Sequence, residues 1–326
     1  MYEIRKSKIM DIIHIEQNGI IVDLSNYGAM IYQIQTPDQF DKYEDILLAY
    51  PKETDYIKNN IYLNASVGPI CGRIPEGQLI IDDNTYQFDK NENQRQTLHS
   101  GSDALSFKYF DYEIQDNNQQ TIVEFLHYSQ LINDVSYETK ITYTIKNSSI
   151  IIDFDISSNQ KFFFNLTNHA YFNLSGNLKS SIENHIVQIN TDLVHILDEF
   201  QCSTLQVHKD PLYDFTQAKS LHTLLKSLKG HPYKGYDDLY YFDKDIEPKA
   251  WAYDPISKRK LQVFSTYNHM VFYTHNNINS IPLKHLNKHP MHYGLCFECQ
   301  RGPLNFKNTL LKNTYKDQII FKFSHQ

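Results

Sequence analysis

Five side chains suited to moving protons or making strong hydrogen bonds sit in sequence that otherwise has little use for them: Arg73, His99, His169, Asp237 and Glu298. Each lies in or beside an apolar, aromatic or glycine-rich segment. Glu298 is the most telling. It stands in GLCFECQ, a hydrophobic segment that reads as a strand, so its carboxylate must face either solvent from an edge or a polar cleft. Gln300, two residues on, shares its face, which fits a cleft lined with hydrogen-bonding groups. His169 lies in KFFFNLTNHAYFNLSG (161–176), where three phenylalanines precede Asn165, Thr167, Asn168, His169, Tyr171, Asn173 and Ser175. Aromatic and β-branched content argues for a strand. Alternation then puts Thr167, His169 and Tyr171 on one face and Asn168, Ala170 and Phe172 on the other. Two readings follow: a buried histidine satisfied by neighbouring amides, or a concave surface that hydrogen-bonds a polar, flat-sided molecule such as a sugar. A carboxylate and an imidazole are also the side chains most often used to remove and deliver protons.

Other chemistries find less support. Fifteen histidines invite a metal, and the densest group is His285, His289 and His292 in KHLNKHPMHYG. Pro290 breaks any helix that would stack His285 on His289, and no glutamate completes a zinc-protease pattern, so no metal is expected. Four cysteines are too few for a disulfide scaffold in a chain of 326 residues. Cys296 and Cys299 form a C-x-x-C, but in a strand an odd separation sends the two sulfurs to opposite faces. No glycine-rich phosphate loop is present.

The elements that must hold these residues are predominantly β. DIIHIE and IIVDLS flank the hairpin-type turn Gln17-Asn18-Gly19, and MIYQIQ follows. TIVEFLHY, SYETKITYTIK and SIIIDFDIS alternate cleanly, as an antiparallel meander with one buried face does. A glycine- and proline-rich loop, VGPICGRIPEGQ, isolates Arg73, and the polar ENQRQTLHSG carries His99. One helix is expected, with Thr216 as N-cap, Leu221, Leu224, Leu225 and Leu228 at helical spacing, and Gly230 as its stop. GYDDLYYFD, KLQVFST, HMVFYTHN and DQIIFKFSH read as further strands. No linker, repeat or composition break divides 1–326, so one all-β sandwich domain is expected. Hydrophobic content of 41% and charged content of 21% are those of a globular protein. A net charge of −7 counts against nucleic acid or an anionic membrane as partner. No apolar run approaches the ~18 residues of a membrane helix. Charges also interrupt the N-terminus where a secretory core would lie, so a cytoplasmic location is expected.

The residues above also carry a family resemblance. NLTNHAYFNLSG resembles the N-x-x-N-H-x-Y-F-N-L motif of the aldose 1-epimerases, the galactose mutarotase family. QTLHSG is similar to its L-H-G-G segment, GPICGRIPEGQ to its arginine loop, GYDD to G-Y-D-H and CFECQ to L-E-T-Q. The matches run in order from about residue 65 to 300, and the His169 motif is the most specific. The resemblance implies a galactose mutarotase-like β-supersandwich with a few short helices and a monosaccharide in an open cleft. It implies Glu298 as the base that takes the anomeric proton and His169 as the acid that protonates the ring oxygen. It places Arg73, His99 and Asp237 on the sugar hydroxyls. Such chemistry needs no cofactor. It does need His169 protonated at neutral pH, where an unperturbed histidine is mostly neutral, and Asp237 or Glu298 is expected to supply that bias.

Three positions depart from the family pattern: Gly72 stands where asparagine is usual, Asp238 where histidine is usual, and Val271 where glutamine is usual. They bear on which sugar is preferred rather than on the reaction. Two rivals to a free aldohexose reading remain. A hexose 6-phosphate epimerase would need further cations near the cleft, and Lys161 and Lys234 are the nearest in sequence to the motifs. A non-catalytic sugar-binding protein would have no need of a paired acid and base.

Overall fold

Period-two alternation writes most of the architecture. In a computed structural model that describes residues 1–17, 19–131, 133–228, 230, 234–307 and 311–325, the strand Ser136–Lys146 buries every second side chain, from Tyr137 to Ile145. Its neighbour Ser149–Phe162 does the same from Ile150 to Ile156. Their register sets Ile141 opposite Phe154 and Tyr143 opposite Ile152, so both strands give one face to the core. The turn between them places Asn147 and Ser148 at φ 48° and 53°, the left-handed geometry that lets a tight hairpin match strand twist. The N-terminal hairpin is present as Asp11–Gln17 paired with Ile20–Ser25, although Asn18 of its turn lies outside the described residues.

Three large sheets result. The first orders Tyr2–Lys6, Asp11–Gln17, Ile20–Ser25, Met30–Pro37 and Tyr43–Asp45 consecutively. The second has nine strands and is centred on Ser149–Phe162 paired with the C-terminal Lys312–His325. The third runs Ser203–His208, Val194–Leu197, Asp237–Tyr241, His269–Tyr273 and Cys296–Gln300 from edge to edge. A principal core with members from Ile13 to Phe323 packs the inner faces together. Among the described residues, no helix is long and apolar enough to cross a membrane.

Two sequence expectations are corrected. Residues 161–176 do not form one strand. The long strand ends at Phe162, and beyond it only Thr167–Asn168 forms a further short strand, paired with Ser66–Val67, while Asn165 and Phe172 make isolated bridges. The backbone there is shared among several loops instead of one neighbour: Asn165 N donates to Pro69 O, Leu166 N to the Tyr315 hydroxyl, His169 N to Ala65 O and Tyr171 N to Asn64 Oδ1. Those bonds satisfy buried amides as a ladder would, and they leave the segment free to curve.

The helix likewise begins later than expected, spanning Leu221–Ser227 with Ser220 as its N-cap, whose hydroxyl accepts from His222 N. Thr216 instead bonds Asp214 through both its amide and its hydroxyl. Lys219–Ser220 is held in a β pairing with Ile186–Val187, which excludes an earlier helical turn.

Candidate active site

The end of the third sheet sets the site's floor. Cys296–Gln300 is an edge strand, yet all five of its residues are buried. Alternation turns Cys296, Glu298 and Gln300 to one face and Cys299 to the other, and Cys296 and Cys299 accordingly belong to different core clusters. All four cysteines are free. Across the sheet Val271 lies opposite Glu298, and Leu239 opposite Val271. One row above, Tyr273 lies opposite Asp237. Above this floor the curved segment after Phe162 presents His169, and the strands Arg73–Ile74 and Thr97–Leu98, paired antiparallel, bring in Arg73 and, at the end of the second, His99. Arg73, His99, His169, Asp237 and Glu298 all line one cavity of about 130 Å³, with Tyr62, Glu92, Tyr171, Tyr273 and Gln300.

His169 Nε2 stands 3.4 Å from Glu298 Oε1, with both side chains under 10% exposed. Ring packing fixes the imidazole: it stacks on Tyr171 at 4.8 Å and 16°, and meets His99 and Tyr273 edge-on. The Tyr171 hydroxyl is anchored on Ile61 O at 2.9 Å. His169 Nδ1 makes no hydrogen bond to another described residue. Two asparagines of the segment serve the backbone: Asn165 bonds both the amide and the carbonyl of Arg301, and Asn173 bonds the carbonyls of Ser180 and Tyr293.

Burial decides where the proton rests. It pushes His169 down to about 3, and burial together with the charge of Asp237 pushes Glu298 well above the usual carboxylate range. The expectation that a carboxylate holds His169 protonated is therefore reversed. Both shifts bias the pair's proton toward Glu298 and leave the imidazole neutral.

His99 is locked differently. Gly72 N–H donates to its Nδ1 at 3.1 Å, and His99 N donates back to Gly72 O at 2.9 Å. A backbone amide can only donate, so Nδ1 carries a lone pair and Nε2 carries the hydrogen. Burial, His169 and Arg73 all push its pKa well below the ordinary value, leaving a neutral donor. The clamp holds backbone at φ 53° for His99 and 67° for Ser100, a left-handed geometry that costs a non-glycine residue roughly 1–3 kcal/mol. Hydrogen bonds between the Ser100 hydroxyl and both backbone groups of Ile70 offset that cost.

His99, His169 and Glu298 place nitrogen and oxygen donors within 4.8 Å of one another, close enough to suggest a cation. The donor set does not fit one. Ligation by His99 Nδ1 would displace the Gly72 amide, and ligation by Nε2 would move the ring hydrogen onto Nδ1, against that same amide.

Arg73 is held by acidic partners: Nε and Nη2 grip Glu92 at 2.9 and 3.1 Å, and Nη2 also reaches Gln201 at 2.8 Å and Asp237 at 3.3 Å. Despite burial, Asp237 and Glu92 push its pKa further up. Sequence reading missed Glu92, Gln201 and Tyr273. Glu92 and Gln201 lie in polar loops without periodicity, and only the fold brings them to Arg73. Tyr273, in the predicted strand HMVFYTHN, could have been found by its two-residue spacing from Val271.

The comparisons with known proteins agree with this architecture. The aldose 1-epimerase family matches residues 11–314. Galactose mutarotase from Rattus norvegicus is 27% identical over 319 residues, covering 93% of this chain and 91% of its own. An aldose 1-epimerase from Streptococcus thermophilus is 26% identical over 276 residues, covering 80% and 76%. Among solved structures, a galactose 1-epimerase from Lactobacillus acidophilus superposes with a TM-score of 0.84 at 21% identity, covering 100% of this chain and 98% of that one. An aldose epimerase homologue from C. elegans gives 0.85 at 20% identity, covering 97% and 99%. These two neighbours carry the fold, galactose mutarotase-like and built mainly of strands. With that fold and a family match across nearly its whole length, the chain belongs to the aldose 1-epimerase family of isomerases.

Proposed function

We propose that the protein interconverts the α and β anomers of a free aldohexose, with Glu298 as base and His169 as acid. The observation that carries this reading is the buried His169–Glu298 pair, 3.4 Å apart inside a cavity of sugar-binding character. Ring opening needs one proton removed from the anomeric hydroxyl and one delivered to the ring oxygen, so base and acid must flank C1 and O5. The pair's single proton first passes from Glu298 to His169 Nε2. Sugar hydroxyls assist by donating to the carboxylate, which favours its charged form. Glu298 then takes the O1 proton while His169 protonates O5, and the C1–O5 bond breaks to give the aldehyde. Rotation about C1–C2 and the reverse transfers close the ring on its other face. His99 Nε2–H, on a ring whose charged form burial disfavours, suits a hydrogen bond to the ring oxygen or a neighbouring hydroxyl, and Arg73 and Asp237 suit the remaining hydroxyls.

Charge supports an unphosphorylated sugar. Among the described residues lining the cavity, Arg73 is the only permanent cation, and Glu92, Asp237 and Glu298 are set against it. Lys161 and Lys234 are not in the lining. A phosphate dianion would meet net acidic surroundings. NMR exchange spectroscopy on galactose, glucose and their 6-phosphates tests both parts. Accelerated exchange of the free sugars is expected, with little for the phosphates. Faster exchange of a phosphate would overturn the substrate reading, and galactose binding without accelerated exchange would make this a sugar-binding protein.

A further inference from the structure

The candidate sugar cavity adjoins a second cavity of about 350 Å³, and Gly72, Arg73, Asp237, Val271 and Gln300 line both. Gly72 leaves room at this boundary: a side-chain carbon built on it would touch nothing nearer than the Gln300 amide at 3.9 Å. Val271 adds only a short apolar side chain. Both are positions where the sequence departs from its family's usual amides.

Much of the second cavity's lining is aliphatic: Leu239, beside Val271 on the sheet, with Leu79, Ile80, Leu197, Leu205 and Leu304. Ile80 is 61% exposed and Leu205 40% exposed, so the groove leaves apolar surface in water that an occupant would cover. Three of its polar side chains are already engaged. Asn165 bonds both backbone groups of Arg301, the Ser203 hydroxyl bonds His195 Nδ1 and Leu205 N, and Gln201 Oε1 accepts from Arg73. Such a surface recognises hydrocarbon and offers little to a second sugar ring.

Resting on the anomer-exchange reading above, we propose that the groove is a substituent subsite: the preferred substrate is a reducing hexose carrying an alkyl or acyl chain on a hydroxyl remote from C1. The chain cannot sit on O1, whose hydrogen the reaction removes. It must leave the ring on the side held by Arg73 and Asp237, where the second cavity adjoins.

The test compares galactose, lactose, and 4-O-octyl and 6-O-octyl galactose by NMR anomer exchange, with calorimetric titration of each. One octyl sugar is expected to show a KM and a Kd at least about tenfold below those of galactose, roughly what burying two or three methylenes yields. The double variant Ile80→Glu/Leu205→Asp should leave galactose exchange unchanged and abolish that advantage. Octyl sugars that are no better than galactose would overturn the proposal, and so would lactose gaining as much as they do. If no sugar is exchanged faster than in buffer, the anomer-exchange reading has failed. The calorimetric comparison then still judges the groove, because equal binding of octyl-galactose and galactose would overturn it.

Discussion

Two buried histidine pairs lie near each other and have opposite characters. His275 and His289 meet Nε2 to Nε2 at 2.9 Å, and His289 Nδ1 is tied to Ile281 O at 2.6 Å. The carbonyl fixes a hydrogen on His289 Nδ1, so His289 Nε2 accepts from His275. That chain ends on a carbonyl, contains no carboxylate and does not line the sugar cavity. His169, only one ring away because Tyr171 stacks on it and meets His275 edge-on, faces Glu298 across 3.4 Å and opens on the cavity. Both regions hold neutral imidazoles by burial. What separates them is a carboxyl partner that can exchange a proton and an opening onto a cavity.

The strongest way to break this contrast is to remove the proton partner. Glu298→Gln keeps shape and hydrogen bonding but cannot take a proton, and should slow anomer exchange by ~10²–10⁴ with an unchanged melting temperature. His169→Gln should cost a similar factor, and the double variant little more, because a pair that acts as one unit is not additive. Polarimetry on freshly dissolved α-anomer reads all three, and additive losses would mean the two residues act separately.

A smaller effect is expected at Arg73→Lys, which keeps the charge but cannot hold Glu92, Gln201 and Asp237 at once. It should raise KM by roughly 10–100-fold, the loss of a charge-assisted hydrogen bond, with a lesser change in kcat. The structural pair should respond in the reverse sense. His289→Leu strands the His275 N–H and should cost roughly 1–3 kcal/mol of stability in urea unfolding, while kcat stays within a few-fold of wild type. A rate loss there as large as at Glu298 would erase the distinction.

Acid should treat the two regions alike. His169 and His275 are each pushed down to about 3 by burial, while an unfolded histidine titrates near ~6.5. The unfolded chain therefore binds more protons between those values. The stability from neutral burial is complete above about pH 6.5 and is lost as pH falls toward 3, by up to about 1.4 kcal/mol per pH unit for each such histidine. Unfolding midpoints measured from pH 7 to 4 should fall accordingly, and a flat profile would mean that these rings are not buried neutral.

How far the site was legible depended on the period of the sequence around each residue. Glu298 could be read because alternation in GLCFECQ leaves only solvent or a cleft for it, and Gln300 marks the same face. The meander was legible for the same reason. His169 was visible as a residue but not in its setting: the segment after Phe162 has the composition of a strand, and its hydrogen bonds go instead to residues 64, 65 and 69 and to Tyr315, contacts without any sequence period. The helix start was misplaced because Thr216 and Ser220 are equally good caps on paper, and the pairing of 219–220 with 186–187 decides between them. The resting position of the proton was illegible in principle, since unperturbed groups give the opposite answer and only burial reverses it.

The clamp between Gly72 and His99 has one more consequence. A ring whose lone pair is permanently occupied by a backbone amide cannot change tautomer or take up a proton without breaking that contact, so its nitrogen chemical shifts should hold steady across pH and substrate additions. His169 lies 5.5 Å away, ring centre to ring centre, in nearly the same surroundings. The candidate site thus contains its own spectroscopic standard: a fixed imidazole against which the proton proposed to move on its neighbour can be read directly.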